Sequence, residues 1–365
     1  MVNPAQPVEG DTPFVQLLSP EGELSEHPDY PLQLTDDEYR SLYRDLVMVR
    51  RIDAEATALQ RQGELGLWAQ LLGQEAAQVG AGRALIAGDM AFPTYREHGV
   101  AWCREVDPLT LLGLFRGTTN GGWSPLDHGF ALYTIVIGDQ CPQAVGYAMG
   151  LQLDAAENAV MVFFGDGASS QGDVNEAFIW ASVFNAPVVF FCQNNQWAIS
   201  EPLERQTKIP LYQRALGFGF PGVRVDGNDV LASLAVSRAT LQRARDGGGP
   251  SLVEAYTYRM GAHTTSDDPS RYRLDSDVEA WRLRDPLERM RSFLHKQQLV
   301  ESGFFDELEA DAEALAVRLR DGVRALPDPT IDVMFDYAYS EPHSLVSEER
   351  EQFTRYLAGF AEDAL

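Results

Sequence analysis

The sequence is poor in cysteine, in positive charge and in long apolar runs. Its three cysteines, Cys103, Cys141 and Cys192, form no CxxC pair, which argues against a disulfide framework or a cysteine zinc site and fits a reducing, cytoplasmic compartment. With 29 Lys and Arg against 54 Asp and Glu, the net charge of −25 argues against nucleic-acid and anionic-membrane partners. No segment reaches the ~18 apolar residues of a membrane span, and residues 1–11 lack the pattern of a signal peptide.

Proline separates an N-terminal segment from the rest of the chain. Residues 1–34 contain six prolines among scattered acids, which predicts an extended arm. Thr35 and Glu38 form a capping-box pattern, and apolar residues then recur at helical spacing to about Arg61. With 45% hydrophobic residues, the chain has ample material for one large core. We therefore predict an arm over residues 1–34, an α/β domain over 35–325 and a C-terminal tail over 326–365.

Short, wholly apolar runs alternate with helical patterns in the middle of the chain. Val160–Phe164 is such a run, and runs of this kind suit strands buried on both faces of a parallel sheet. The strand–helix–strand order predicts a doubly wound, mainly parallel α/β sheet flanked by helices. The predicted strands are Val160–Phe164, Pro187–Cys192, Val223–Val225 and Ser251–Tyr258, and helices are predicted from Thr35 to Arg61, Gln74 to Ile86, Asp173 to Phe184, Asp229 to Arg245 and Asp277 to Arg324.

Polar residues follow two of the predicted strands. Gly165-Asp166-Gly167 comes directly after Val160–Phe164, and Asn194-Asn195 closes the next strand, with Asn195 lying 29 residues beyond Asp166. Ligands of open α/β sheets bind beyond the carboxyl ends of the strands, and glycines there let a phosphate approach the backbone. Carboxylate and amide oxygens suit Mg²⁺. Either half alone is typical of a polar turn, but together they predict a site for a diphosphate and Mg²⁺.

The sequence around these motifs resembles the alpha subunit of the thiamine-diphosphate-dependent decarboxylating component of 2-oxo acid dehydrogenase complexes, of the branched-chain or pyruvate type. GDG followed at this distance by NN is the signature of thiamine-diphosphate enzymes. The resemblance covers about residues 35–300. It is also carried by Gln74–Ala77, Tyr95–Glu97, Val225–Val230, Gln193–Ser200 and His263–Arg273.

The resemblance implies a metal-ligand set and a diphosphate cradle. Asp166 and Asn195 would ligate Mg²⁺ through their side chains, and Trp197 would do so through its backbone carbonyl. The backbone of Gly167 and Ala168 would contact the diphosphate of the cofactor.

The resemblance also assigns residues to the rest of the cofactor and to the substrate. Tyr95 and Arg96 would contact the diphosphate, which suits the planar guanidinium of arginine. The backbone of Ile137 would contact the aminopyrimidine, while its side chain bends the cofactor. His263 would bind the cofactor and would also be the active-site histidine, acting in proton transfer or in orientation at the substrate carboxylate, or during acyl transfer to lipoate.

The same resemblance implies the reaction and the partners. The activity would be oxidative decarboxylation of a small-molecule 2-oxo acid, with acyl transfer to a lipoyl-bearing acyltransferase core. The glutamate that activates the cofactor would come from a beta subunit, in an alpha2beta2 heterotetramer. Motif detail favours 3-methyl-2-oxobutanoate, with pyruvate and acetoin as alternatives. Two alternative hypotheses belong to other functional classes: a non-catalytic scaffold subunit and a single-chain transketolase-like enzyme.

The chain departs from the family pattern at four positions. Gln193 stands where the animal branched-chain type has an arginine, which puts one phosphate contact in doubt. Asp139 occupies the place of a potassium-binding threonine, and His128 lies in a segment without a clear match. Thr264 replaces a regulatory phosphorylated serine, so kinase control is not expected.

Overall fold

A computed structural model describes residues 14–362 of the chain. The strands are β1 Met90–Phe92, β2 Val160–Gly165, β3 Val188–Asn194, β4 Trp197–Ala198, β5 Glu201–Pro202, β6 Gly222–Asp226 and β7 Ser251–Tyr256. The helices are α1 Asp36–Arg61, α2 Glu75–Ala84, α3 His98–Cys103, α4 Pro108–Arg116, α5 Pro125–His128, α6 Gln140–Leu153, α7 Gly172–Phe184, α8 Leu203–Gln206, α9 Arg214–Phe218, α10 Val230–Arg243, α11 Asp275–Arg282, α12 Pro286–Lys296, α13 Phe304–Ala325, α14 Asp332–Asp336 and α15 Ser344–Glu362.

Five strands form one sheet in the order β1-β2-β3-β7-β6, and every neighbouring pair is parallel. This confirms the predicted parallel α/β fold. β4 and β5 form a separate antiparallel pair beyond the end of β3. β3 continues through Asn194, two residues beyond the predicted end at Cys192, so the first asparagine of the motif still belongs to the sheet. β1 was not predicted, because a three-residue strand carries almost no pattern.

Apolar side chains bury both faces of the sheet. On β2, Met161 and Phe163 belong to one core cluster, while Val162 and Phe164 belong to another. Helices α2 and α10 supply the first cluster, and α6 and α7 supply the second. Side chains of a strand point alternately to opposite faces, so a run buried throughout requires a helical layer on each side. This is the doubly wound arrangement.

Helix α1 begins as its sequence predicts. The Thr35 hydroxyl accepts from the Glu38 backbone N–H, and the Glu38 carboxylate accepts from the Thr35 N–H at 2.8 Å, so the capping box is confirmed. Leu46, Val49 and Ile52 line the buried face of the helix. Helix propensity and tertiary burial agree here, which is why this boundary could be predicted.

The described part of the arm, residues 14–34, contains no helix and docks on the edge of the sheet. Val15 pairs with Val225 of β6 in parallel. The backbone N–H groups of Leu17 and Leu18 donate to Asp229 Oδ2 at 2.7 and 2.6 Å. The arm therefore extends the sheet beyond β6, and one buried carboxylate holds it there. The predicted start of the arm, residues 1–13, lies outside the described residues.

The end of the chain is more regular than its mixed, acidic composition indicated. α14 and the 19-residue helix α15 contact each other through Phe335 and Phe353. Arg350 of α15 forms ion pairs with Asp332 and Asp336 of α14. Within residues 14–362, no helix is both long and apolar enough to cross a membrane.

Candidate cofactor site and active site

Asp166 and Asn195 lie at one edge of the sheet because their strands are neighbours. β2 ends at Gly165 and β3 at Asn194, and in the register of the pair Gly165 faces Gln193. The residues that follow therefore leave the sheet side by side at its carboxyl edge. The backbone N–H of Asn195 is close enough to the Asp166 carboxylate to favour its ionised form. The sequence spacing predicted this juxtaposition.

A cavity of about 500 Å³ opens at this edge. Cavities of roughly 300–1,000 Å³ hold most small-molecule ligands. Every residue that the sequence singled out for the cofactor, the metal or catalysis contributes to its wall: Tyr95, Arg96, Ile137, Asp166, Gly167, Ala168, Asn195, Trp197 and His263.

Asp166 is a buried carboxylate with few partners. Its side chain accepts a hydrogen bond from Gln206 Nε2 at 2.9 Å, and the residue is 1% exposed. Burial raises the pKa of Asp166 from 3.8 to about 6, and the Gln206 hydrogen bond and the Arg259 charge oppose that rise. An ionised carboxylate is costly here unless a cation lies beside it.

Asn195 and Trp197 offer two further oxygens. Asn195 Nδ2 donates to Gln74 Oε1 at 3.0 Å, and Oδ1 accepts from the Trp197 backbone N–H at 3.2 Å, so the two contacts orient the amide. The Trp197 carbonyl accepts from Arg259 Nη1 at 3.2 Å. The described residues hold no group of three His, Cys, Asp or Glu that could bind a metal. A donor set of one carboxylate, one amide and one carbonyl suits a hard cation that shares its coordination with phosphate.

Gly167 opens a 3-10 turn that runs to Ser170, at the foot of the cavity. A Cβ atom at Gly167 would lie 2.6 Å from the Cβ atom of Ala198. Only glycine fits at this distance, since the backbone of the turn packs directly against β4. The turn therefore presents its bare backbone to the cavity, as a diphosphate cradle requires.

Arg96 joins two sides of the cavity. Its Nη1 donates to the carbonyl of Gln70, and its Nη2 donates to the carbonyl of His263 at 2.8 Å. The guanidinium carbon lies 5.6 Å from the ring centroid of Tyr95. Arg96 is only 6% exposed, so its charge acts in a low-dielectric setting where an anion is held strongly.

His263 is a neutral imidazole. Its Nδ1 lies 3.2 Å from Arg96 Nη2 and 3.4 Å from Arg259 Nη1, and both arginine groups can only donate. Nδ1 is therefore the acceptor, and Nε2 carries the ring hydrogen. Burial lowers the pKa of His263 to about 3, with the charges of Arg96 and Arg259 acting in the same direction. At neutral pH the ring is a hydrogen-bond donor and not a cation.

Comparison with known proteins identifies the family of the chain. Residues 43–317 match the family described as "Dehydrogenase E1 component". The chain belongs to this family. It is 44% identical to the 3-methyl-2-oxobutanoate dehydrogenase subunit alpha of Mycobacterium tuberculosis (strain ATCC 25618 / H37Rv) over 345 residues, which cover 94% of each protein. It is 35% identical to the pyruvate dehydrogenase E1 component subunit alpha of Bacillus subtilis (strain 168), covering 93% of this chain and 91% of the relative.

The predicted family is thus confirmed, and E1 components are thiamine-diphosphate-dependent oxidoreductases. The residues present fit that cofactor, because Asp166 is a buried carboxylate that could face a cation and Gly167 leaves bare backbone that could face a diphosphate. Gln74 also lines the cavity, and its buried Nε2 has no hydrogen-bond partner among the described residues, so it is a further donor.

In this E1 chain, Gln193 belongs to a buried network beneath the cavity. Its Nε2 donates to Glu97 Oε1 at 2.6 Å, and its Oε1 accepts from Gln78 Nε2 at 3.0 Å. Gln78 also donates to the carbonyl of Arg96 at 3.0 Å. The glutamine therefore ties the strand that ends in Asn194 to the segment that carries Arg96. An arginine in its place would have changed this network.

Several site residues were missed by sequence reasoning. Gln74 and Arg259 both line the cavity, but nothing in their local pattern indicated which groups they would contact. His128 does not line the cavity: its Nδ1 lies 3.0 Å from the carbonyl of Arg104. Asp139 accepts from Gln143 Nε2 at 2.6 Å on helix α6.

Proposed function

We propose that the chain is the alpha subunit of a 2-oxo acid dehydrogenase that decarboxylates a branched-chain 2-oxo acid such as 3-methyl-2-oxobutanoate and passes the acyl group to a lipoyl-bearing acyltransferase core. The observation that carries the proposal is the convergence of all nine predicted site residues on one cavity. A family relation alone would leave a scaffold subunit possible. A subunit that only supports its partner would not require these nine residues to line one cavity.

Asp166, Asn195 and the Trp197 carbonyl would hold Mg²⁺, which in turn would bind the diphosphate. Arg96, with Tyr95 beside it, would hold the diphosphate oxygens, as would the backbone of Gly167 and Ala168. Support comes from the burial of Asp166, since a carboxylate with a raised pKa gains most from a cation beside it. The backbone of Ile137, whose side chain also lines the cavity, would contact the aminopyrimidine.

Thiamine diphosphate, when bound, supplies the carbon nucleophile and the electron sink for decarboxylation. The chain's own part is to bind, orient and exclude water. His263, as a neutral donor through Nε2, would orient the substrate carboxylate. It is a poor base at neutral pH because burial, together with the charges of Arg96 and Arg259, lowers its pKa. This narrows the roles implied for His263 by the sequence toward orientation.

The alkyl group of a branched-chain substrate would meet an apolar wall. Leu67, Ala69, Phe115, Ile135 and Val136 all contribute to the lining of the cavity. The 44% identity to a 3-methyl-2-oxobutanoate enzyme supports the same substrate. Pyruvate is the second candidate, because relatives named for pyruvate are 33–35% identical over similar lengths.

A beta subunit would complete the site in an alpha2beta2 heterotetramer. Activation of the cofactor needs a free carboxylate near the aminopyrimidine. The carboxylates that line the cavity are Glu97 and Asp166, and Glu97 is occupied by Gln193 and by the Thr94 hydroxyl at 2.6 Å. This supports supply of the activating group by the partner.

The unpaired state of all three cysteines supports a cytoplasmic location.

The test is to purify the chain with its beta subunit and follow decarboxylation with an artificial electron acceptor. Pyruvate and 3-methyl-2-oxobutanoate are assayed in parallel, with thiamine diphosphate and Mg²⁺ present. We expect turnover that is lost in Asp166→Ala and is faster with the branched-chain substrate. Faster turnover of pyruvate would reassign the substrate, and cofactor binding without turnover of either would point to acetoin or another oxo acid. Failure to bind the cofactor would leave only a scaffold role.

A further inference from the structure

Two segments run antiparallel along one wall of the cavity, outside the main sheet. The first covers residues 68–73 and the second residues 257–265. Four hydrogen bonds in sequence join them: the Thr257 hydroxyl to the Gly73 carbonyl at 2.6 Å, the Met260 N–H to the Leu72 carbonyl at 3.1 Å, the Ala262 N–H to Gln70 Oε1 at 3.0 Å and the Thr265 N–H to the Trp68 carbonyl at 2.9 Å. We call this pair of segments the wall ribbon.

Trp68 is the fixed end of the wall ribbon. It is fully buried, and its indole N–H donates to Asp53 Oδ1 on α1 at 2.8 Å. The indole stacks on His98 with a centroid distance of 4.0 Å and meets the edge of Phe115 at 4.8 Å. Contacts on several sides leave this side chain no alternative rotamer without opening the core. The Trp68 backbone is therefore a rigid reference point.

Thr265 of the second segment binds the Trp68 backbone through two hydrogen bonds. Its hydroxyl accepts from the Trp68 N–H at 3.0 Å while its own N–H donates to the Trp68 carbonyl, so the two residues form a reciprocal pair. Thr265 is 5% exposed, whereas Ser266 next to it is exposed. A buried pair of this kind is costly to break, since the Trp68 N–H would be left without a partner.

We infer that the Thr265 hydroxyl is a positioning group for His263, and this inference rests on the proposed function. His263 lies two residues before Thr265, and its carbonyl accepts from Arg96. Arg96 in turn donates to the carbonyl of Gln70 on the first segment. The wall ribbon thus positions both His263 and Arg96. The Thr265–Trp68 pair determines the position of His263 relative to Arg96.

Loss of the Thr265 hydroxyl should shift the position of His263 while the overall fold is kept. A displacement of about 1 Å at a catalytic group can cost about 100-fold in rate. Thr265→Val keeps the shape of the side chain but removes the acceptor. We expect kcat to fall by about 10- to 100-fold. The Kd for thiamine diphosphate should change less than kcat, because Asp166, Asn195 and Gly167 lie on other segments, although Arg96 contacts the wall ribbon.

The experiment compares Thr265→Val, Thr265→Ser and Ser266→Ala in the complex with the beta subunit. The serine variant retains the hydroxyl and should restore most of kcat, and the exposed Ser266→Ala variant is the matched control that should behave as wild type. A second readout is trypsin cleavage after Arg271, an exposed residue of the same loop. Cleavage should accelerate in Thr265→Val at temperatures well below its Tm, which should fall by only a few degrees because one buried N–H loses its acceptor. If Thr265→Val is insoluble, Thr265→Cys, with a weaker acceptor, must show the same loss of kcat.

The outcomes separate the two levels of the argument. A wild-type complex that binds no thiamine diphosphate overturns the proposed function, and the cleavage comparison at Arg271 then still decides whether Thr265 holds the loop. A wild-type complex that turns over, with Thr265→Val at the wild-type rate, overturns the positioning role alone. Equal losses in the serine and valine variants would show that retaining the hydroxyl does not preserve the rate, and would also overturn it.

Discussion

Replacing Asp166 by asparagine changes a buried carboxylate into an amide of nearly the same shape. The amide oxygen can still accept the hydrogen bond from Gln206 Nε2, so the local packing is kept. Two things change: the negative charge is lost, and with it the strongest of the three oxygens proposed to bind Mg²⁺. Stability and cofactor binding should therefore move in opposite directions.

The size of the stability gain follows from the pKa of Asp166, which burial raises from 3.8 to about 6. Because the folded-state pKa is the higher one, the ionised group destabilises the cofactor-free protein increasingly as the pH rises from about 4 through about 6. At about 1.4 kcal/mol per pH unit, the penalty removed by Asp166→Asn is about 1–2 kcal/mol at pH 5 and about 3 kcal/mol at pH 8. Cofactor binding should weaken by at least about 100-fold, since even outer partners of metal ligands contribute 10- to 100-fold.

The assay is urea unfolding of the cofactor-free protein at pH 5 and pH 8, paired with titration of thiamine diphosphate in the presence of Mg²⁺. Asp173→Asn, an exposed carboxylate at the start of α7, is the control and should alter neither quantity by much. A variant that is less stable than wild type at pH 8 would refute the account of burial at Asp166. Unchanged Mg²⁺-dependent binding would refute its role as a metal ligand.

Two further predictions concern the frame around the site. In Asp229→Ala, the N–H groups of Leu17 and Leu18 lose their acceptor, so the free energy of unfolding should fall by about 3 kcal/mol. The urea titration is made at pH 4, because burial raises the pKa of Asp229 to about 6 and the folded protein then carries little charge there. A loss under 1 kcal/mol would count against the arm contact. In Gly73→Ala, the new methyl would lie 2.2 Å from the Tyr258 carbonyl at a φ of +98°, so thermal unfolding should shift strongly downward, and an unshifted Tm would contradict the close approach.

The sequence predicted the elements whose causes are local. The capping box at Thr35 and the apolar run after Ala159 determine α1 and β2 with little help from the rest of the chain. Helix α15 also carried a local signal, because Phe353, Tyr356 and Phe360 recur at helical spacing. Its acidic composition concealed that spacing, so the sequence reading of this region as a mixed tail missed the helix.

The parts that escaped prediction depend on distant contacts. Asp229 accepts hydrogen bonds from arm residues that lie more than two hundred positions away in the sequence. No local sequence pattern indicates that this carboxylate binds the arm. The same holds for Gln193, whose two partners come from other segments. Motif spacing could place Asp166 beside Asn195 because strand order fixes which residues share a sheet edge. It could not show which side chains would orient them.

The electrostatics of the site support the proposal that it binds a cation together with a diphosphate. Asp166 is buried with a raised pKa, and burial together with the charge of Arg96 lowers the pKa of Arg259 to about 10. Each charge is thus disfavoured where it stands. A cation beside Asp166 and an anion between Arg96 and Arg259, which both line the cavity, would relieve both charges at once, whereas either alone would relieve only one. Binding of Mg²⁺ and of the diphosphate should therefore be coupled, each raising the affinity for the other by the same factor.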